Sequence, residues 1–240
     1  MYLSRLILNP RCRAVQRDLA DCQSLHRTVM ALFGQTEGDD ARARLGVLHR
    51  LDLNPRDGRL DLLVQSTTPP DFTRLAADYL AQTSEPNPTS KPVADLYARL
   101  VAGQALRFRL LANPTRKIDT KSGPAGERRN GQRVPLRDDE SRLAWLARKG
   151  EVGGFRLRQV MASPATNERG KVPAVQSATA SQLRGRHPAP GGGTANLTLE
   201  PVLFEGILEV TDAAALRQAL AQGIGPGKAY GCGLLSLAPA

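Results

Sequence analysis

Cysteine is scarce in this chain. Cys12, Cys22 and Cys232 are the only three among 240 residues, and no C-x-x-C spacing occurs. An odd number so placed argues against both a disulfide framework and a zinc knuckle. Histidine is equally sparse: His26, His49 and His187 lie far apart and make no H-x-x-x-H or other metal-ligand pattern. No metal and no cofactor is therefore expected. Long apolar runs are missing too, with no window near the ~18 residues of a membrane span. The opening MYLSRLILNPRCR is too short in apolar residues for a secretory leader and has no A-x-A-type cleavage site. The expected setting is a reducing cytoplasm, away from membranes. Aromatics make up 4% of the chain, and between Phe108 and Phe204 only Trp145 and Phe155 occur. Binders of single strands stack bases on aromatic rings, and this middle region is poorly equipped for that.

Positive charge, in contrast, is plentiful and uneven. Lys and Arg number 33 against 23 Asp and Glu, a net +10. Residues 1–106 hold 13 basic and 12 acidic side chains, residues 107–186 hold 18 and 7, and residues 187–240 hold 2 and 4. The excess sits in one 80-residue stretch, a local field that suits a polyanion. Of the basic residues 27 are Arg, whose planar fork clamps phosphate through two hydrogen bonds. With 41% hydrophobic residues the chain is of ordinary globular composition. Its length allows one large domain or two of roughly 100–130 residues.

Patterning favours two. Tyr2, Leu3, Arg5, Leu6 and Leu8 alternate as a buried strand that stops at Asn9-Pro10. Asp21 is a candidate N-cap for a helix carrying Leu25, Val29, Leu32 and Phe33. Strands are predicted over 45–53 and 59–66, joined by a turn at Asn54-Pro55-Arg56-Asp57-Gly58. A second helix is predicted with Phe72, Leu75, Ala76, Tyr79 and Leu80 on one face, and a fourth strand over 93–100. That order, β-α-β-β-α-β, is ferredoxin-like. The second half repeats it: a strand at Leu106–Leu111, a helix at 140–149, strands at 155–161 and 202–210, a helix at 213–222 capped by Asp212, and a last strand at 234–238. The Arg-rich segment 121–137 reads as a loop or extended hairpin, and the Ser-, Ala-, Pro- and Gly-rich segment 164–193 as a mobile insertion. The expected architecture is α+β, two tandem ferredoxin-like domains over residues 1–100 and 101–240.

Gly223, Gly225, Gly227, Gly231 and Gly233 crowd the segment before that last strand. The segment is not a Walker A loop, because Ala229 follows Lys228 where Ser or Thr is required. It joins a helix to a strand, so it is not a dinucleotide fingerprint either. Two readings remain: a helix C-cap followed by turns, or a backbone surface that meets a phosphate or another chain, with Lys228 adding charge.

The opening MYLSRLILNP, the helix with Ser24-Leu25-His26, the segment Phe108-Arg109-Leu110-Leu111-Ala112-Asn113-Pro114 and the ending GIGPGKAYGCGLLSLAP together resemble the CasE family. These are CRISPR RNA-processing endoribonucleases of type I-E systems. The resemblance runs from residue 1 to the last strand and implies two ferredoxin-like domains. It also implies metal-free cutting of precursor CRISPR RNA at the base of the repeat hairpin, with the product retained in the Cascade complex beside its other protein subunits. By the same resemblance His26 is the catalytic histidine. In such chemistry a base takes the 2′-hydroxyl proton, the oxygen attacks the adjacent phosphorus, and an acid protonates the departing 5′-oxygen. Histidine suits either transfer, and a nearby Arg stabilises the charge on phosphorus.

The chain departs from the family at two places. Gln23 stands where relatives commonly have a tyrosine, and Ala31 where some have a lysine. Neither side chain exchanges protons. His26 is therefore expected to provide most of the proton transfer, with Arg27 or another Arg steadying the phosphate and Gln23 orienting the nucleotide. Arg116, Lys117, Arg128, Arg129, Arg133, Arg156 and Arg158 are the candidates for the RNA stem, chiefly through phosphates. A catalytically weak or silent RNA-binding subunit and a general binder of structured nucleic acid are the alternatives.

Overall fold

The alternating residues of the opening segment form β1 (Tyr2–Leu8), whose Leu6, Ile7 and Leu8 are buried. The computed structural model of the chain describes residues 1–34, 38, 40–118, 132–162, 170–188 and 193–240. The helix expected from Asp21 onward is α2 (Cys22–Ala31), and a further helix, α1 (Arg13–Ala20), precedes it. Asp21 divides them because its backbone is extended, with φ −139° and ψ 107°. Its N–H closes α1 on the Arg17 carbonyl, and its Oδ1 accepts from the N–H groups of Gln23 and Ser24 at 2.8 and 3.3 Å. After α3 (Ala41–Arg44) come the antiparallel strands β2 (Leu48–Leu53) and β3 (Leu60–Ser66), as the Asn54–Gly58 turn predicts.

The next segment corrects two expectations. The helix predicted over 72–80 shrinks to a 3-10 turn at Phe72–Arg74. Beyond it the chain bonds the end of β1: Asn9 N–H donates to the Tyr79 carbonyl and Ala81 N–H to the Ile7 carbonyl, each at 2.9 Å. Those bonds satisfy backbone groups that a helix would have left open at the strand end. The fourth strand is β4 (Thr89–Pro92), and part of the segment predicted as strand, 93–100, is instead α4 (Ala94–Ala98). β4 is an edge strand on β1, so it needs no apolar alternation and tolerates Pro92. The sheet order is β2-β3-β1-β4.

In the second half, β5 (Ala105–Ala112) turns Leu106, Phe108, Leu110 and Ala112 into the core. β6 (Thr115–Ile118) and β7 (Gln132–Pro135) pair as the arms of a basic hairpin. Arg128 and Arg129 lie outside the described residues. α5 (Asp139–Val152) is capped by Asp138. The strand expected over 155–161 is split at Arg158 into β8 (Phe155–Leu157) and β9 (Gln159–Met161). The Arg158 N–H bonds the Ile207 carbonyl while its own carbonyl accepts from Ala174, which turns the chain from one partner strand to another. The segment expected to be a mobile insertion is, where described, mostly strand: β10 (Lys171–Pro173), β11 (Val175–Thr179) and β12 (Leu183–Pro188). Partly exposed ladder positions explain its low apolar content. β13 (Thr194–Leu199) pairs with β12; β14 (Val202–Val210), α6 (Ala213–Gln222) and β15 (Leu235–Pro239) complete the chain. The second sheet runs β11-β14-β5-β15, with β8 also paired to β14. Without β11 its order, β8-β14-β5-β15, repeats that of the first sheet, so the architecture is α+β with two tandem ferredoxin-like units.

Each sheet has its own apolar core, one around Leu6, Val29 and Val64 and one around Phe108, Leu146 and Phe204. Buried polar contacts fasten the two units together. Arg50, only 2% exposed, bonds Asp52 on its own strand and reaches across to the carbonyls of Arg109 and Leu234 and to Ser236 Oγ. Gln65 Nε2 donates to the Leu220 carbonyl at 2.7 Å.

Candidate active site

The Asp21 cap sets the first turns of α2, which carry Gln23, His26 and Arg27. His26 is half-buried, and among the described residues its buried Nδ1 has no hydrogen-bond partner. Burial, then the Arg42 and Arg27 guanidiniums, hold its imidazole below the usual histidine range. Arg27 is exposed and its Nη2 donates to Ser24 Oγ at 3.2 Å. Gln23 lies one turn before His26, half-buried, its backbone facing Gly185 of β12.

The glycine segment closes over this helix. Its five predicted glycines all have positive φ, between +77° and +92°. Gly223 ends α6, as a helix C-cap should, and its N–H reaches the Ala219 carbonyl. Gly227 and Gly231 are left-handed and bracket a single 3-10 turn, Lys228–Tyr230. A side chain at either position would strain that conformation. The turn packs against both α2 and β2. It sets the Tyr230 ring edge-on to His26, with centroids 6.2 Å apart and planes at 66°. From β2, His49 reaches the back of the same turn: it is 1% exposed, and a methyl on Gly231 would stand 3.6 Å from its Nε2. Burial, then His26 and Arg42, push the His49 imidazole down to about 3, so it is uncharged at neutral pH.

Arg42, from α3, belongs to this cluster as well. It donates to the Val47 carbonyl at 3.0 Å, and its charge acts on His26, His49 and Lys228. Lys228 is half-buried, its ammonium held below the usual lysine range by burial, then Arg42 and Lys149. It also lines a groove of about 410 Å³ with Arg133, Lys149 and the backbone of Gly223–Pro226. Lys228 thus joins this cationic trough to the turn that carries Tyr230 beside His26.

The predicted binding residues divide accordingly. Arg116 and Lys117 are exposed on β6, with Lys117 opposite Arg133 in the ladder. Arg133 and Lys228 share the trough. Arg156 is engaged elsewhere, in an ion pair with Glu209 at 2.6 Å, and neither it nor Arg158 lines the trough. Three members of the cluster, Arg42, His49 and Tyr230, escaped the sequence reading. The one available signal was Tyr230, an aromatic residue inside a glycine motif in a chain with few aromatics. Among the described residues no group of three or more His, Cys, Asp or Glu side chains is placed to hold a metal ion, and no helix is long and apolar enough to cross a membrane.

Comparison with known proteins identifies the family. A family model described as CRISPR associated protein matches residues 1–239. The chain is 37% identical to the CRISPR-associated endoribonuclease Cse3 of Thermus thermophilus, with 100% of both proteins covered. It is 32% identical to the CRISPR system Cascade subunit CasE of Escherichia coli, again with 100% of both covered. A solved structure of CRISPR endoribonuclease Cse3 bound to a 19-nucleotide RNA matches with a TM-score of 0.76 and 37% identity over 100% of both chains. The chain belongs to the CRISPR-associated Cse3/CasE family.

Proposed function

We propose that this protein is a metal-independent endoribonuclease that cuts precursor CRISPR RNA at the base of the repeat hairpin and stays on its product as a Cascade subunit. The names of its relatives, an endoribonuclease and a Cascade subunit, support the activity and the assembly. The reaction is attack of a ribose 2′-oxygen on the adjacent phosphorus, leaving a 2′,3′-cyclic phosphate and a 5′-hydroxyl. The observation that carries the reading is a half-buried imidazole, depressed by burial and two guanidiniums, packed against a turn whose Lys228 lines a cationic groove. Neutral at neutral pH, His26 takes the 2′-hydroxyl proton. Arg42, whose charge weighs on His26 more than that of Arg27, steadies the phosphate as charge grows on it. Arg27, more exposed, contributes at the rim, and Gln23 orients the nucleotide. Residues 1–100 form the unit that carries the catalytic helix. Residues 101–240 form the one that supplies the basic hairpin and the glycine turn. The stem lies along Arg116, Lys117, Arg133 and Lys228, with Arg128 and Arg129 as further phosphate contacts and Arg156 and Arg158 as outlying ones.

The test is cleavage of a cognate hairpin carrying its 3′ flank, in EDTA, beside a control with a 2′-deoxy scissile nucleotide. The expected result is scission of the first only, to a 5′-hydroxyl fragment, slowed at least ~100-fold by His26→Ala. Dependence on a divalent ion, or a 5′-phosphate end, refutes the mechanism. Gln23 and Ala31 favour a second reading, a silent RNA-binding subunit, and tight binding of the hairpin without scission would establish it.

A further inference from the structure

We propose that the Tyr230 hydroxyl is the proton donor to the departing 5′-oxygen. This rests on the ribonuclease reading above and fills the role that Gln23 and Ala31 leave empty. Transesterification moves two protons, one off the 2′-oxygen and one onto the 5′-oxygen. Among the residues of the cluster, Arg42 holds the Val47 carbonyl, Lys228 lines the groove with Arg133 and Lys149, and His49 is sealed behind the turn, 1% exposed. The one further proton-bearing ring in contact with His26 among the described residues is that of Tyr230.

Two independent features suit it to the task. The turn that holds it is clamped: Gly227 O accepts from the N–H groups of Tyr230 and Cys232 at 2.9 and 3.2 Å, and Gly233 N–H bonds Leu111 O at 2.7 Å. The ring is thus placed by backbone, and among the described residues its hydroxyl spends no hydrogen bond on the protein. Tyr230 is only partly buried and lines a cavity of about 420 Å³ with Cys22, Leu25, Arg109 and Arg184, a space that could take a bound ligand. Burial, then Cys22, raise the phenol above its ordinary range, so it is protonated at neutral pH, where His26, held low, is neutral. The two rings then begin the reaction in complementary states, one empty and one loaded.

The step balances. His26 takes the 2′-hydroxyl proton and the 2′-oxygen bonds phosphorus. The bond from phosphorus to the 5′-oxygen breaks with its electron pair on oxygen, and that oxygen takes the proton of Tyr230 Oη. An alkoxide is far more basic than a phenolate, so the transfer runs downhill. The phenolate then recovers the proton held by His26, directly or through water, and both groups return to their starting state.

Tyr230→Phe keeps the ring and the edge contact and removes only the proton. On the ordinary hairpin it should slow single-turnover cleavage about 100-fold, the usual worth of one positioned acid. Its affinity for the uncleavable 2′-deoxy hairpin should stay within about twofold, because the hydroxyl is assigned to the leaving group. The deciding substrate carries sulfur in place of the bridging 5′-oxygen, since a thiolate leaves without a proton. There Tyr230→Phe should match the parent within about threefold, while His26→Ala stays slow on both substrates. Equal rates on the ordinary hairpin overturn the proposal. So does an equal loss on both substrates, which would make Tyr230 a support for His26. A parent protein that binds the hairpin and cuts nothing overturns the ribonuclease reading, and the proposal falls with it.

Discussion

Replacing Arg50 by Met should weaken the joint between the two units. The Arg50 guanidinium, 2% exposed, bonds both oxygens of Asp52 at 2.9 to 3.0 Å. It also donates to Arg109 O and Leu234 O at 3.2 Å and to Ser236 Oγ at 3.0 Å. Methionine fills the space of the stem but donates nothing. Asp52, 18% exposed, would keep only Arg109 as a charge partner, at 3.5 Å. Removing one member of a buried pair costs about 3–5 kcal/mol, most of it from the charge left behind. That is a large part of the ~5–15 kcal/mol that holds a typical protein folded. In urea it corresponds to a midpoint lowered by roughly 1–2 M. The double change Arg50→Met with Asp52→Leu removes the stranded carboxylate and should recover at least about half of the loss, a coupling that independent sites lack. A single-variant loss below ~1 kcal/mol would place Arg50 with surface ion pairs and refute the idea that it fastens the two units.

The rate of cleavage should rise with pH and level off below the ordinary 6.5 of histidine, because burial, Arg42 and Arg27 all lower His26. Arg42→Gln should move that inflection upward, and a parent inflection above 6.5 would contradict the assignment. Stability should also depend on pH through His49, whose folded value of about 3 lies below its ordinary 6.5. The unfolded chain then binds the proton first, so this contribution is fully present above pH 6.5 and is lost as pH falls toward 3. The slope is at most ~1.4 kcal/mol per pH unit. Urea titrations at pH 7, 6 and 5 should show a shallower decline in His49→Phe; identical declines would refute this. Replacing Arg116 and Lys117 together by Ala should weaken hairpin binding and flatten its salt dependence by about two phosphate contacts. An unchanged slope would remove both from the interface.

Helices α2, α5 and α6 and strands β1, β2, β3, β5 and β14 were legible because each carries its own periodicity and, for α2 and α6, an Asp cap. β4 was not, because an edge strand half in solvent needs no alternation. The failed helix after Asp71 shows the converse: Phe72, Leu75 and Leu80 do pack on the core, with helical spacing, yet backbone bonds to the end of β1 decide the conformation. His26 could be singled out from its setting on an amphipathic helix and its family motif. Tyr230 could not, because its nearness to His26 joins residues about 200 positions apart.

From the amino-acid order alone came the doubled strand and helix pattern, the confinement of charge to the middle of the chain, and the family. Those properties are local, or sums over the chain, and need no knowledge of what touches what. Only the folded molecule decided that Arg42 outweighs Arg27 at the imidazole, that Arg133 and Lys228 share a trough while Arg156 is held by Glu209, and that the glycines serve to aim one turn. Charge and proton affinity depend on distance and burial, and these are fixed by long-range packing.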